Sequence, residues 1–257
     1  MAKWRTVLRT LAVVMVAIGT GVLTSNIIIS AFSKPLEQVY RDEYVPSWMD
    51  GYRNRTFKVI TKYKENNQLY ASSGSGFYIG KGYVITAFHV VEDDEDQVLD
   101  LESWNARLRM KIKDRAAVWH TDEYHDIAVL KLEDPSGFTE GFRLGSSDDL
   151  VPNGLIHIVG CPSGSFPPTI SSGVLRAEGQ SSIHIDTGVW YGFSGGPVID
   201  GDTGKVIGVV VQIGFRRDHY KWRLTPNTDL GIAVHIDVLR ELLEKWGVPY
   251  NVTSDSD

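Results

Sequence analysis

Twelve short runs of β-forming residues constrain the fold of this chain more than any other feature of its sequence. Each run spans three to eight residues, is rich in β-branched and aromatic side chains, and is bounded by Gly, Asn, Asp or Lys. Short strands at regular spacing are typical of all-β proteins, so we predict an all-β fold. The runs are residues 57–63, 76–79, 83–86, 106–112, 116–120 and 127–132, then 155–159, 170–177, 182–186, 197–199, 206–213 and 230–234.

A turn sequence, Asp134-Pro135-Ser136-Gly137, divides the runs into two sets of six. Six strands on each side predict two six-stranded antiparallel β-barrels, the first over about residues 56–134 and the second over about residues 140–235. Together they form a predicted domain of residues 56–250.

One helix is predicted after the second barrel, over residues 237–246. Asp237 is its expected N-cap, leucines and a tryptophan form one apolar face, and Gly247 ends it. Residues 34–55 are polar and are interpreted as a linker or a strap over the domain, without a helix of their own. Residues 251–257 are interpreted as an acidic, frayed tail.

Residues 10–33 carry no charged side chain, and 15 of the 22 residues from 11 to 32 are apolar. A helix of this length can cross a hydrocarbon core of about 30 Å, so residues 1–33 are predicted to be a transmembrane anchor or a signal peptide. We favour the anchor because the apolar region is long, although Ala31-Phe32-Ser33 offers small residues for cleavage after Ser33. A buried core helix is disfavoured because the apolar residues are not confined to one face. The rest of the chain is expected to be extracytoplasmic (periplasmic or extracellular), or secreted after cleavage.

Charge and cysteine content exclude several classes of protein. The formal net charge of −6 argues against a nucleic-acid partner, because phosphate binding needs clustered Lys and Arg. A single cysteine, Cys161, rules out an intrachain disulfide, and we interpret it as a small buried hydrophobe rather than a reactive thiol. No group of Cys and His has zinc-site spacing, so we predict neither a metal nor an organic cofactor.

A serine set among glycines is the first candidate for chemistry, in Gly192-Phe193-Ser194-Gly195-Gly196-Pro197. Glycine permits positive φ and close approach of the backbone to a ligand. The amides of Gly192 and Ser194 would then point at one spot, where an oxyanion forms in acyl transfer. The alternative is a glycine-rich hairpin between two strands, and the motif alone does not separate the two interpretations.

A serine nucleophile needs a base and a group that orients the base, and His89 and Asp126 are the candidates. His89 follows the apolar run 83–88, and Asp126 heads the apolar strand 127–132. Their alternatives are a satisfied core histidine and a solvated turn aspartate. The order His, Asp, Ser, with Ser194 in the second set of strands, predicts a site in the cleft between the barrels. The remaining histidines are interpreted as solvated side chains at strand edges and turns: His120, His125, His157, His184, His219 and His235.

These residues lie in blocks that resemble trypsin-like serine peptidases of the chymotrypsin fold, in particular their HtrA/Deg branch. The blocks are residues 74–77, 82–91, 125–130, 144–146, 159–164, 172–174, 192–197 and 231–234. The resemblance implies chymotrypsin-like barrels and a serine endopeptidase that cleaves protein or peptide substrates through an acyl-enzyme. It assigns Ser194 as nucleophile, His89 as general base and acid, and Asp126 as the group that fixes the histidine tautomer. The amides of Gly192 and Ser194 would form the oxyanion hole.

The chain departs from these relatives at three points. Phe193 stands where many of them have Asn and where digestive zymogens have Asp, so we do not expect activation by N-terminal cleavage. No PDZ domain follows the barrels, so peptide gating through such a domain is not expected in this chain. Gly188 stands where enzymes of basic specificity carry an acid, which disfavours Lys or Arg before the cut.

Substrate, partners and alternatives follow from the same resemblance. Val210, Val211 and Gln212 are predicted to pair with an extended substrate, with a small or medium apolar residue before the cut. HtrA relatives commonly form trimers through N-terminal segments, so residues 36–55 are a candidate contact for a homotrimer. Two other functions stay open: a chaperone-like binding module that has lost catalysis, and an esterase that uses the same three residues.

Overall fold

The structure is a computed structural model, and it describes residues 47–65, 68–91, 98–105, 110–138, 140–218 and 223–252. The predicted anchor or signal peptide, most of the predicted strap and the end of the acidic tail lie outside the described residues. Within the described part of the chain, no helix is long and apolar enough to cross a bilayer.

Six antiparallel strands close the first barrel in the order β1-β2-β3-β6-β5-β4. Alternate side chains of these strands point inwards and form a core that includes Phe57, Val59, Leu101 and Leu130, all 0% exposed. The strands are β1 (Thr56–Glu65), β2 (Gln68–Gly80), β3 (Tyr83–Ala87), β4 (Val98–Asn105), β5 (Met110–Asp122) and β6 (Ile127–Leu132). The prediction of a six-stranded first barrel is confirmed.

Six further strands form a second closed barrel, because its first-to-last pairing is completed between β11 and β12. Two short strands, β7 and β14, extend this sheet by parallel pairing and were not predicted. The strands are β7 (Arg143–Leu144), β8 (Leu155–Gly160), β9 (Thr169–Glu178), β10 (Ser182–Asp186), β11 (Pro197–Asp200), β12 (Val206–Asp218), β13 (Arg223–His235) and β14 (Asn251–Val252). The second predicted barrel is therefore confirmed as well.

The two barrels share a hydrophobic cluster that also includes the C-terminal helix. Phe77 and Val129 of the first barrel contact this cluster from one side, and Val159 and Val209 of the second barrel from the other. Residues brought to this junction by β2, β3 and β12 are thus held in fixed positions by packing.

The predicted C-terminal helix is present as α2 (Ile236–Trp246), which follows the short helix α1 (Ser47–Asn54) in chain order. Asp237 is not its N-cap. The cap is His235, whose Nδ1 accepts a hydrogen bond from the Asp237 N–H at 3.1 Å. Gly247 ends α2 with a φ of 64°, as predicted.

Helix α1 corrects the prediction that residues 34–55 contain no helix. It packs on the second barrel, where the Arg53 Nε donates to the Pro168 carbonyl at 2.9 Å and Trp48 packs on His157. Tyr52 packs against the shared cluster. The segment Ser47–Asn54 is short and contains Gly51, so its helical form depends on these tertiary contacts more than on intrinsic propensity.

Candidate active site

His89 and Asp126 form a direct pair at the end of β3. The strand ends at Ala87, and His89 lies in the single 3-10 turn that follows, Phe88–Val90. The His89 Nδ1 lies 2.6 Å from the Asp126 Oδ2, and the His89 backbone N–H donates to the Asp126 Oδ1 at 2.9 Å. Each carboxylate oxygen therefore holds a different atom of the same histidine, which fixes both the ring and its backbone.

A strained turn places the Asp126 carboxylate. Asp126 has a φ of 58°, a left-handed conformation that is uncommon for residues other than glycine. The turn before it is held by Asp122, whose Oδ1 accepts from the His125 N–H at 2.8 Å. The Asp126 carbonyl in turn accepts from the Phe88 N–H at 3.1 Å. Backbone strain of this kind persists where surrounding contacts over-determine it, and it concentrates at functional sites.

The loop that carries Ser194 is bound to both barrels through its backbone. The Ser194 carbonyl accepts from the Ser75 N–H of β2 at 2.8 Å, and the Gly195 N–H donates to the Val210 carbonyl of β12 at 2.7 Å. Gly195 has a φ of 83°, and a Cβ added there would lie 2.7 Å from the Ala87 amide nitrogen. Only glycine allows the Ser194 loop to approach the strand that leads to His89 so closely.

Two backbone amides of this loop are left without a protein acceptor. The Tyr191 carbonyl accepts from the Ser163 N–H at 2.7 Å, and because C=O and N–H of a trans peptide point in opposite directions, the Gly192 N–H points away from Ser163. The Phe193 N–H donates to the Trp190 carbonyl at 3.1 Å. Among the described residues, no acceptor is bound to the N–H of Gly192 or of Ser194. An oxyanion hole requires donors of this kind, and whether these two amides form one stays a prediction.

Phe193 anchors the loop in the core of the second barrel. Its side chain is 1% exposed and belongs to the cluster formed by Ile158, Leu175 and Val198. A Cβ added to Gly160 would lie 2.8 Å from the Phe193 ring, so the glycine at the end of β8 makes room for it. The Ser194 loop is therefore anchored by the apolar packing of this phenyl ring and not by a polar or charged side chain at position 193.

The predicted specificity residues on β12 differ in their surroundings: Val210 belongs to the core, whereas Val211 and Gln212 lie on an unpaired strand edge. Val210 is 1% exposed and belongs to the core, and its N–H donates to the Gly196 carbonyl at 2.9 Å, so it supports the Ser194 loop. Beyond Val210, the pairing of β12 within the described residues runs to β13 alone, which leaves its other edge unpaired at Val211 and Gln212. A Cβ added to Gly188 would lie 3.3 Å from the Ser171 hydroxyl.

Two of the remaining histidines and the cysteine are buried. His157 and His235 are 8% and 3% exposed, so the prediction that they are solvated is wrong. Burial under Trp48 lowers the pKa of His157, whose Nδ1 lies 2.8 Å from the Ser172 hydroxyl. Cys161 is 1% exposed and burial raises its pKa to about 12, which confirms a buried apolar role. Among the described residues, no group of His, Cys, Asp and Glu could hold a metal ion.

The structure thus joins His89 to Asp126 and ties the Ser194 backbone to the neighbouring strand, while a hydrogen bond from the Ser194 hydroxyl to His89 stays a prediction. Sequence reasoning missed the supporting roles of Ser75, Asp122 and Ser163. Only two of the three leave a local signal: Ser75 stands between two glycines inside a strand, and the Asp122 side chain forms an Asx-type turn. Ser163 leaves none, because it acts through its backbone.

Comparison with known proteins agrees with this geometry. Residues 74–209 match the family described as trypsin-like peptidase domain. The chain is 33% identical over 151 residues, 55% of this chain and 29% of the relative, to a "Probable periplasmic serine endoprotease DegP-like" of Pseudomonas fulva (strain 12-X). It is 30% identical over 192 residues, 70% of this chain and 36% of the relative, to "Putative protease Do-like 12, mitochondrial" of Arabidopsis thaliana.

A vertebrate relative shows the same pattern of partial coverage. "Serine protease HTRA1B" of Danio rerio is 31% identical over 157 residues, 56% of this chain and 31% of the relative. The chain thus spans about a third of the length of these curated relatives. The matched segment contains His89, Asp126 and Ser194. On the family match over more than half of its length, the chain belongs to the trypsin-like peptidase domain family, with relatives named for the HtrA/Deg proteases.

Proposed function

We propose that this protein is a serine endopeptidase that hydrolyses peptide bonds through an acyl-enzyme, with Ser194, His89 and Asp126 as its triad. One observation carries the proposal: the Ser194 loop is bonded to β2 and packs against Ala87, two residues before the histidine that is paired with Asp126. In this proposal the nucleophile, base and orienting acid act together at the junction of the barrels, and family membership supports the same reaction.

In the proposed mechanism the Ser194 hydroxyl attacks the scissile carbonyl and its proton passes to the Nε2 of His89. Asp126 accepts the hydrogen bond from the Nδ1–H of His89, which keeps Nε2 as the basic nitrogen and stabilises the imidazolium. The free amides of Gly192 and Ser194 donate to the oxyanion of the tetrahedral intermediate. His89 then protonates the leaving amine, and a water molecule hydrolyses the acyl-enzyme by the same steps in reverse.

The proposed substrates are extended protein or peptide segments that add a strand to the free edge of β12 at Val211 and Gln212. Gly188 and the nearby Ser171 hydroxyl bring no carboxylate to the predicted side-chain pocket, so we propose a small or medium apolar residue before the cut. Cleavage of a peptide library tests this, and a preference for Arg, Lys or Glu at that position would contradict it.

We also propose that the catalytic domain is extracytoplasmic, tethered by residues 10–33 and assembled as a homotrimer through residues 36–55. Support comes from the uncharged apolar stretch in the sequence and from the relatives named as periplasmic. Membrane fractionation of cells that produce the full chain, followed by the native mass of the detergent-extracted protein, tests both parts. Recovery in the soluble cytoplasmic fraction would contradict the tether, and a monomeric mass would contradict the trimer.

Activity is tested with the full-length chain, its Ser194→Ala variant and the control Ser72→Ala, which removes an exposed hydroxyl from β2. We expect the wild type and Ser72→Ala to cleave casein and to react with a fluorophosphonate probe. Ser194→Ala is expected to lose nearly all turnover, by a factor on the order of 10⁶, because the nucleophile is gone while the fold is retained.

Each other outcome points to a different function. Unchanged cleavage by Ser194→Ala would overturn the assignment of the nucleophile. Labelling of Ser194 without peptide cleavage would favour an esterase that uses the same residues. Absence of both labelling and cleavage in the wild type would favour a binding module that has lost catalysis.

A further inference from the structure

We propose that Ser75 is a positioning residue whose buried hydroxyl holds the Ser194 loop in the shape that binds an oxyanion. The inference rests on the proposed peptidase function and adds to it a residue from the first barrel. Ser75 does not touch the reacting atoms, and it acts through the backbone of Gly192 and Ser194.

Both hydrogen-bonding roles of the Ser75 hydroxyl are used. It donates to the Gly192 carbonyl at 2.6 Å and accepts from the Cys161 N–H at 2.9 Å. The backbone N–H of the same residue donates to the Ser194 carbonyl at 2.8 Å. Ser75 therefore holds the carbonyl of Gly192 and the carbonyl of Ser194, the two residues whose amides are proposed to bind the oxyanion.

The relative orientation of the Gly192 and Ser194 amides depends on this contact. The peptide before Gly192 is held by the Ser163 N–H on the Tyr191 carbonyl. The peptide after it is held at both ends, by Ser75 on the Gly192 carbonyl and by the Trp190 carbonyl, which accepts from the Phe193 N–H. Gly192, with a φ of 101°, has no side chain that would restrict its rotation. Without the Ser75 hydroxyl, the peptide after Gly192 keeps only its Phe193 hydrogen bond and can turn about the Gly192 backbone, which shifts the Ser194 amide relative to the Gly192 N–H.

The Ser75 hydroxyl lies in a buried and tightly packed place. Ser75 is 0% exposed, and a Cβ added to Gly160 would lie 2.6 Å from its Oγ, so the surroundings are close-packed. Removing the hydroxyl leaves the Gly192 carbonyl without its donor in a dry environment, which favours a turn of the peptide towards other partners. The expected result is a loop that binds substrate normally and stabilises the transition state poorly.

The test compares Ser75→Ala with Thr56→Val in the full-length protein. Thr56 is a matched control, since it is also 0% exposed and its hydroxyl donates to a backbone carbonyl, that of Tyr52, at 2.9 Å. We expect Ser75→Ala to lower kcat about 10- to 100-fold, below the cost of losing an oxyanion donor outright, with KM changed less than about threefold. Affinity for a peptide boronate and the rate of fluorophosphonate labelling are expected to fall by the same factor as kcat, while Thr56→Val keeps the wild-type kcat.

The result that overturns the inference is a folded Ser75→Ala protein with the kcat and boronate affinity of the wild type, or an equal fall in kcat in Thr56→Val. If Ser75→Ala does not fold, Ser75→Cys decides, because its thiol is a weaker donor: reduced kcat with unchanged KM supports the inference, and wild-type kcat overturns it. A wild type that neither cleaves nor is labelled refutes the peptidase function itself and, with it, the inference. A labelled wild type with equally labelled Ser75→Ala refutes the inference alone.

Discussion

The two barrels hold their parts of the candidate site in different ways. The first barrel uses side chains: the Asp126 carboxylate binds both the ring and the backbone of His89. The second barrel relies mainly on the main chain of the Ser194 loop: carbonyl and amide groups of the loop form its hydrogen bonds, including the one from the Ser75 hydroxyl, and glycines stand where the backbone makes its closest approaches. One half of the site is therefore specified by functional groups and the other half by backbone geometry.

This difference predicts which substitutions each half tolerates. In the first barrel, exchanging a functional group at constant shape is expected to be severe, because the chemistry lies in the side chain. In the second barrel, adding a single methyl group is expected to be severe, because the loop has no space for it. The predictions that follow test each half in turn, beginning with the larger effect.

Asp126→Asn changes the first-barrel pair at nearly constant shape. An amide at this position can hold the wrong tautomer of His89, so we expect kcat to fall about 10⁴-fold with little change in the fold. Asp100→Asn is the matched control: the Asp100 and Asp126 side chains are both 29% exposed, and Asp100 is paired with Lys62 on the same barrel. Peptide hydrolysis by the control is expected to equal that of the wild type. Equal activities for Asp126→Asn and Asp100→Asn would show that Asp126 has no part in orienting the base.

Gly195→Ala tests the second barrel by adding one methyl group to the Ser194 loop. The new Cβ would overlap the Ser75 carbonyl oxygen and the Thr86 hydroxyl, in addition to the strain of a positive φ. We expect displacement of the loop and a fall in kcat of at least about 10²-fold, as for loss of an oxyanion donor.

Gly247→Ala separates the collision from the strain. Gly247 ends α2 with a φ of 64°, and a Cβ added there meets no atom within 4 Å. This variant is expected to lose about 1–3 kcal/mol of unfolding free energy and none of its activity. Thermal unfolding and peptide hydrolysis of both variants measure the difference, and equal kcat values in Gly195→Ala and the wild type would refute the close approach of the loop.

The sequence predicted the strands best where an apolar run is bounded by turn residues. Residues 127–132 and 182–186 were predicted with the bounds that β6 and β10 have in the structure. Of the strand predicted at 106–112, residues 110–112 belong to β5, which runs from Met110 to Asp122, and residues 106–109 lie outside the described residues. The strand β4 (Val98–Asn105) was not predicted. In β4 the inward Leu99 and Leu101 alternate with acidic residues, and the pairing of Asp100 with Lys62 that stabilises this arrangement is a tertiary contact.

Helix α1 explains two further differences between prediction and structure. Its Trp48 covers His157. The packing of α1 therefore explains both a helix that its Gly51 made hard to predict and a histidine that was expected to be solvated but is buried. The candidate site shows the same difference between local sequence signals and tertiary contacts. His89, Asp126 and Ser194 were predicted from their sequence contexts, whereas Ser75 lies 117 residues from the carbonyl that it holds. A serine between two glycines marks Ser75 locally, but nothing in the local sequence identifies the distant main-chain group that it binds.

The rate at which the Cys161 thiol reacts measures how rigidly the second barrel holds the Ser194 loop. Burial raises the pKa of this thiol to about 12, so at pH 8 only a very small fraction is thiolate, the form that reacts. Cys161 also contacts the residues that hold the Ser194 loop, since its N–H donates to the Ser75 hydroxyl and a Cβ on Gly192 would overlap its carbonyl oxygen.

We therefore expect iodoacetamide at pH 8 to label the native wild type far more slowly than the denatured protein, with no effect of Cys161→Ala on kcat. Asp126→Asn, which alters only the first barrel, should be labelled as slowly as the wild type, and Gly195→Ala should be labelled faster because its loop opens. Rapid labelling of the native wild type would show that the loop is not held closed by its backbone contacts, and the contrast between the two barrels would then be lost.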